Sequence, residues 1–292
     1  MEKFRTIKQV LPAFKINMGG IYIDQALPHH GLDQIDPFLL VHHLKQTYTL
    51  AKRQEKVGVP PHPHRGFAPV TFVFEGGVHH RDSLNNDSVI YEGGTQWMHA
   101  GSGVVHSERP AKEVAENAET WELIQFWINV PADYKMTAPK YWPLTKEDTP
   151  VVTSEDGLIN IGVVSGELNG VSGKIEAYSP IQALRLEMKA GGKMRIPIPS
   201  HYNSFMYQLD GALSINGKMD TKAKDMTYFN MDGDFIEIEA LEDTRAMLLS
   251  GEPINEPLVT HGPFVMNEHQ EIVDAIKDFQ LGKMGNLQEV FH

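Results

Sequence analysis

The chain is written in short apolar runs, and that limits its fold before any motif is considered. Residues 20–24, 37–42, 70–74, 89–91, 104–106 and 123–130 carry such runs. Beyond a break they resume at 159–164, 183–188, 204–209, 212–215, 235–239 and 245–249. Turn residues separate them, among them Glu75-Gly76-Gly77, Asn85-Asn86, Gly93-Gly94, Asp210-Gly211, Asn216-Gly217 and Asp232-Gly233. Runs of strand length at this spacing predict an all-β sandwich or barrel. No long helical patterns alternate with them, which argues against a doubly wound α/β sheet. One segment differs: Ile272, Val273, Ile276 and Phe279 recur at helical spacing, predicting a helix over 268–281. Asn267 is its expected cap, with Gln270 at the third helical position and Gly282 at its end.

The break at 139–150 holds three prolines and mixed charge, as a linker does. It divides 292 residues into two parts of ordinary domain size, 1–138 and 151–292, with the helix in the second. The halves read as a diverged repeat. At an offset of 135, PHPHRGFAPVTFVFEGG falls on IPIPSHYNSFMYQLDGA, Phe67 meets Tyr202 and Phe72 meets Tyr207. The expected architecture is two stacked antiparallel barrels.

Composition removes several chemistries. Without cysteine there is no disulfide, zinc finger, iron–sulfur cluster or thiol nucleophile. A net charge of −12 opposes direct contact with nucleic acid or an anionic membrane, since both need a basic field. The start of the chain has no signal-like apolar core, and no run approaches membrane-span length. The expected location is the cytoplasm, or the nucleus of a eukaryotic cell. Any metal must be held by histidines and carboxylates, and ten of the fourteen histidines precede residue 107.

His62-Pro63-His64 and His106-Ser107-Glu108 are the candidates for chemistry. Residues two apart on a strand share a face, so each pair can aim two ligand atoms into one barrel. Three imidazoles and one carboxylate suit a divalent first-row metal. Random order alone supplies about one His-x-His and about one His-x-Glu in a chain of this composition. The spacing therefore matters only because each pair borders a strand near a glycine turn. His269-x-Glu271 is a decoy, because on a helix residues two apart point in different directions.

PHPHRGFAPVTFVFEGG, then GGTQWMHAGSGVVHSERP, and finally SGEPINEPLVTHGPFVMN at 250–267 closely resemble the pirin family of the cupin superfamily. The resemblance spans nearly the whole chain. It implies a bicupin of jelly-roll barrels, with one iron ion in the first barrel only. The ligands it implies are His62, His64, His106 and Glu108. The repeat agrees: His62 and His64 fall on Pro197 and Pro199, and no histidine lies between His201 and His261. The second barrel is expected to be metal-free.

Four protein ligands on an octahedral ion leave two positions open, as a catalytic or sensing site requires. Some pirins resemble quercetin 2,3-dioxygenases, which open a flavonol ring with O₂ and release carbon monoxide. That implies Fe(II), O₂ and a flavonol or related enolizable or catecholic substrate, with Glu108 as catalytic base for the 3-hydroxyl. The alternative is an iron-dependent redox-sensing regulator that binds a transcription factor or a metabolic enzyme. The chain departs from the family at Ala68-Pro69 (commonly Glu-Thr), Gly94 (Asp), His99 (Thr) and His42-His43 (Asp-Glu), which bears on substrate preference more than fold.

The remaining residues have plainer readings. His79-His80 is expected as a solvated turn and His99 as ordinary turn packing. Arg65 reads equally as a pocket-mouth or a surface residue. Phe72, Phe74, Trp97, Phe126 and Trp127 are expected in the core, and residues 113–122 as a solvated acidic face. Gln125 lies on an expected strand, with an inward pose as one possibility.

Overall fold

The computed structural model describes residues 3–291 and is built mainly of antiparallel strands. Its contacts form two compact units. The first barrel comprises Ile16–Ile23, Phe38–Lys146 and Ile254–His292, and the second Met1–Lys15, Asp24–Pro37 and Glu147–Pro253.

The two barrels repeat one topology. In the first, a seven-stranded sheet runs Lys140–Leu144, Thr95–His99, Phe67–Glu75, Thr120–Asn129, Phe38–Thr47, Ile21–Leu27 and Phe14–Met18. The second has Ile7–Pro12, Asp225–Phe229, Asn203–Gln208, Thr244–Gly251, Ile181–Met188, Ile159–Ser165 and Val151–Thr153 in the same order. The four-stranded sheets match as well. Val59–His64, Val104–Pro110, Gly77–Asp82 and Asp87–Tyr91 correspond to Lys193–Pro197, Phe235–Ala240, Ala212–Ile215 and Met219–Lys222. The offset of 135 therefore aligns Val59–His64 with Lys193–Pro197, and Phe67–Glu75 with Asn203–Gln208.

The units depart from the division at 139–150. The amino-terminal strand Ile7–Pro12 pairs with Asp225–Phe229 of the second barrel. The buried Arg5 guanidinium secures it, donating to the carbonyls of Pro199, Tyr202 and Gly233 and to Ser204 Oγ. The carboxy-terminal segment and its helix belong to the first barrel, not to the second as the linear division placed them. Ile272 and Ala275 of that helix pack with Val105, Phe264, Met266 and Met284. Apolar surface left open by one half of the chain is covered by a segment from the other, which linear position does not reveal.

The helix runs His269–Gln280, with Glu268 as its cap in place of Asn267. Glu271 holds the third position, and its carboxylate accepts the backbone N–H groups of Asn267 and Glu268 at 2.9 and 2.8 Å. The Asn267 amide turns away, to Glu256 and the Pro257 carbonyl. Val273 and Phe279 are exposed, so the buried stripe is narrower than the spacing suggests. Gly282 follows the helix at φ +71°, a conformation that suits glycine. No helix among the described residues is long and apolar enough to cross a membrane.

Candidate metal centre

Val59–His64 is written VPPHPH, a sequence only a sheet edge accepts, because proline donates nothing to the ladder. The strand lies at that edge, against Val104–Pro110. In register, His62 stands opposite His106 and His64 opposite Val104. A bulge then lets Glu108 face Val59, so two residues of one strand answer three of the other. On its other side His106 pairs with Asp82, and Glu108 with His80.

His62, His64 and His106 converge. Their ligand atoms lie within 4.8 Å of one another, an arrangement that can hold a metal ion. The ring centroids are 4.4–4.9 Å apart. Burial pushes the His64 and His106 imidazoles well below the ordinary histidine pKa, and the neighbouring imidazoles push the same way. Neutral rings are the form a cation needs.

The outward nitrogens are already occupied. His62 Nδ1 donates to the Pro60 carbonyl at 2.8 Å, and His64 Nδ1 to the Pro263 carbonyl at 3.3 Å. A carbonyl only accepts, so in the neutral rings the proton sits on Nδ1 and Nε2 keeps its lone pair. His106 Nδ1 lies 3.4 Å from His80 Nδ1. His106 Nε2 is buried with no hydrogen-bond partner among the described residues. A buried, unpartnered ring nitrogen inside a histidine cluster is what a metal would satisfy, so the residues present fit one.

Glu108 lies near the three imidazoles in sequence register but outside their 4.8 Å grouping. Its carboxylate is held from the larger sheet. Oε1 accepts Gln96 Nε2 at 2.5 Å and Thr71 Oγ1 at 3.0 Å, and Oε2 accepts Gln125 Nε2 at 2.8 Å. Gln96, Thr71, Gln125 and His42 stand opposite one another on adjacent strands, forming one polar rung. Trp127 Nε1 donates to Gln125 Oε1 and orients that amide. Glu108, Gln125 and His42 also line a cavity of about 570 Å³. Its other walls are mainly apolar, from Ile21, Ile23, Leu44, Val59, Trp121 and Leu123. Burial pushes the His42 imidazole down to about 4.

Several residues land away from their expected settings. His80 is buried on the strand Gly77–Asp82 instead of lying in a solvated turn, while His79 bonds Asp87 on the opposite side. Cross-strand neighbours share a face, so His80 and Asp82 follow Glu108 and His106 inward. His80 stacks on Tyr141 at 4.0 Å and 5°. Asp82 is buried, which raises its pKa, but hydrogen bonds from His80 and Asn86 more than offset this and hold it below the usual range. Arg65 does not line the cavity at Glu108: it is buried beside the terminal helix, donating to the Ser102 carbonyl and to Asp278. His99 is buried at a strand end and bonds Thr137 Oγ1 at 2.9 Å. Phe72, Phe74, Trp97 and Phe126 are core residues, whereas half-buried Trp127 lies against His64, 5.5 Å between centroids. Gly94 sits where a Cβ would strike Ile90 Cγ2 and the Leu144 carbonyl, so the larger family residue does not fit this backbone. Gln96, Thr71, His80 and Asp82 carried no sequence signal of their own. The pairing register of a correct strand model would have found them.

Among its described residues the second barrel holds no such histidine group. Opposite Pro197 stands Phe235, as His106 stands opposite His62.

Known proteins agree with this architecture. The family model "Pirin" matches residues 20–128, and "Pirin C-terminal cupin domain" matches residues 183–285. Mouse pirin is 35% identical over 272 residues, covering 91% of this chain and 89% of that protein. Pirin-1 of Arabidopsis thaliana is 32% identical over 284 residues, covering 96% and 94%. A crystal structure of quercetin 2,3-dioxygenase from Acinetobacter baumannii superposes with TM-score 0.92 at 31% identity, covering 98% of this chain and 100% of that one. With both barrels matched, the strand order repeated and the histidine cluster assembled in the first barrel, the chain is a bicupin of the pirin family.

Proposed function

We propose that this chain is a non-haem iron protein with quercetin 2,3-dioxygenase-type activity, opening a flavonol ring with O₂ and releasing carbon monoxide. The observation that carries the reading is the placement of Glu108, two residues along the strand from His106 of the three-histidine cluster and lining a largely apolar cavity of about 570 Å³. That volume falls in the ~300–1,000 Å³ range of small-molecule pockets. The likeness to the Acinetobacter baumannii quercetin 2,3-dioxygenase structure supports it.

His62, His64 and His106 would hold the ion through Nε2, with Glu108 as fourth ligand. Bound Fe(II) would supply Lewis acidity toward an enolate oxygen and the one-electron chemistry that O₂ requires. The protein's own part is positioning and proton transfer. Apolar walls receive the flat rings and exclude water. Of the roughly four acceptor sites of the carboxylate, Gln96 and Thr71 take both on Oε1, and Gln125 takes one on Oε2. Oε2 therefore keeps one site, which either ligates the ion or takes the substrate 3-hydroxyl proton, but not both at once. His42, neutral and opposite Gln125, offers a further polar contact at the cavity wall.

The test is anaerobic loading with Fe(II), followed by quercetin and O₂, with ring-opened product and carbon monoxide measured together. Full iron occupancy without either product overturns the dioxygenase reading. Glu108→Gln should lower kcat by about 10²–10⁴-fold, as for loss of a general base. Pull-down with the apo, ferrous and ferric protein addresses the regulatory alternative, which requires a partner that differs among the three states.

A further inference from the structure

We infer that His80 and Asp82 form a relay that sets the tautomer of His106, making His80 a positioning residue for the metal centre. The inference rests on the three-histidine reading of that centre and adds residues outside its ligand set.

The chain of contacts is continuous and buried. His80 Nε2 lies 3.1 Å from Asp82 Oδ2, and His80 Nδ1 lies 3.4 Å from His106 Nδ1. A carboxylate accepts, so His80 donates from Nε2. With one proton on the ring, His80 Nδ1 is then an acceptor, and His106 Nδ1 must carry the hydrogen between them. His106 Nε2 is left bare, and it is the atom with no partner among the described residues. Were the direction reversed, His106 would carry its proton on Nε2 and could not ligate.

The surroundings fix this direction. Asp82 Oδ1 accepts the backbone N–H groups of Leu84 and Asn86 at 2.9 and 3.0 Å, so the carboxylate cannot rotate. Oδ2 also accepts Asn86 Nδ2 at 2.7 Å. The His80 ring is pinned by its stack on Tyr141, whose hydroxyl bonds Ser88 Oγ at 2.8 Å. His62 and His64 have carbonyls to hold their Nδ1 protons. Among the described residues His106 has none, and His80 supplies the missing acceptor.

Asp82→Asn is the sharpest test. The two backbone donors keep the amide oxygen at the Oδ1 position, so the amide nitrogen takes the Oδ2 position, where it donates to His80 Nε2 and, with the Asn86 amide flipped, to Asn86 Oδ1. His80 must then carry its proton on Nδ1 and donate to His106, inverting the relay. His80→Phe keeps the stack and removes both nitrogens. His80→Asn restores an acceptor near the Nδ1 position. The tautomer of His106 is read by ¹⁵N-labelled histidine NMR in the metal-free protein, and affinity by anaerobic titration with Fe(II) and Co(II). Wild type and His80→Asn should show His106 protonated on Nδ1. Asp82→Asn should show Nε2 protonation, and His80→Phe should lose the Nδ1 preference. Both should bind metal about 10–100-fold more weakly, the usual effect of losing such a partner. An unchanged His106 tautomer in folded Asp82→Asn, with affinity within about twofold of wild type, overturns the relay. Neither readout uses quercetin, so absent turnover bears only on the proposed activity.

Discussion

Gln96 Nε2 donates to Glu108 Oε1 at 2.5 Å, joining the larger sheet of the first barrel to the smaller one beside the histidine cluster. The same amide has its own oxygen buried without a hydrogen-bond partner among the described residues. Gln96→Leu therefore removes a donor to the carboxylate together with an unsatisfied acceptor, whose burial costs about 1–3 kcal/mol. The two effects offset in stability, and the melting temperature should change little. Positioning of Glu108 should not survive so well. We expect kcat for flavonol opening to fall about tenfold with KM nearly unchanged, measured on iron-loaded protein. A large stability loss with unchanged kcat would contradict this.

Gly66 sits at φ +86°, beside the hairpin that supplies the Pro263 carbonyl to His64. A Cβ there would overlap the Val265 carbonyl oxygen and Met266 Sδ. Gly66→Ala combines a left-handed backbone with a backbone clash and should destabilise by about 2 kcal/mol or more. Metal affinity should fall with it, because the displaced hairpin holds the His64 tautomer. Thermal unfolding and metal titration check both.

Lys135 is buried, and its ammonium donates to the Gly66 carbonyl, the Val265 carbonyl and Asn129 Oδ1. Burial pushes its pKa down to about 8. Lys135→Met should cost about 1–3 kcal/mol, since buried acceptors lose their donor. The sign of its titration follows from linkage. Between about 8 and the ordinary 10.5 the unfolded chain holds the proton and the folded one does not, so this group makes stability rise with pH across that window. Urea unfolding of wild type and Lys135→Met from pH 7.5 to 10 isolates the difference.

Acid should weaken the metal-free protein before its carboxylates titrate. Burial pushes both His42 and His99 from 6.5 down to about 4. Across that interval the unfolded chain takes up protons that the folded chain refuses, so stability falls as pH falls. Each imidazole contributes at most about 3 kcal/mol, at roughly 1.4 kcal/mol per pKa unit. Below the window, Asp24 and Asp82, both held below 3.8, add their own loss as they protonate. Urea midpoints from pH 7 to 3.5 should decline from about 6.5, whereas a profile flat to pH 4 would refute the assignment.

Metal analysis should find one ion per chain, lost in His106→Ala. Pro197→His with Pro199→His should add none, because Phe235 stands where a third imidazole would be needed.

Much of the centre is legible in local sequence. Strand alternation alone gives His62 and His64 one face, and His106 and Glu108 another. VPPHPH also announces a sheet edge, since three prolines cannot occupy a central strand. His80 was not legible in this way. Next to His79 and after a glycine turn it reads as solvated, and only its pairing with Glu108 turns it inward. Gln96, Thr71 and Gln125 are ordinary strand residues until register sets them opposite one another and across from Glu108.

The sequence by itself determined the all-β class, the repeat, the restriction of any metal to histidine and carboxylate, and the half of the chain able to supply the ligands. These follow from period-two patterning, turn residues and the absence of cysteine, all of them local or compositional. Tertiary structure decided that Ile7–Pro12 completes the second barrel and that the terminal segment belongs to the first. It also decided which nitrogen of each histidine is free and which groups hold Glu108. Those outcomes depend on partners up to 199 residues away, brought together by strand register and burial, which no local pattern encodes.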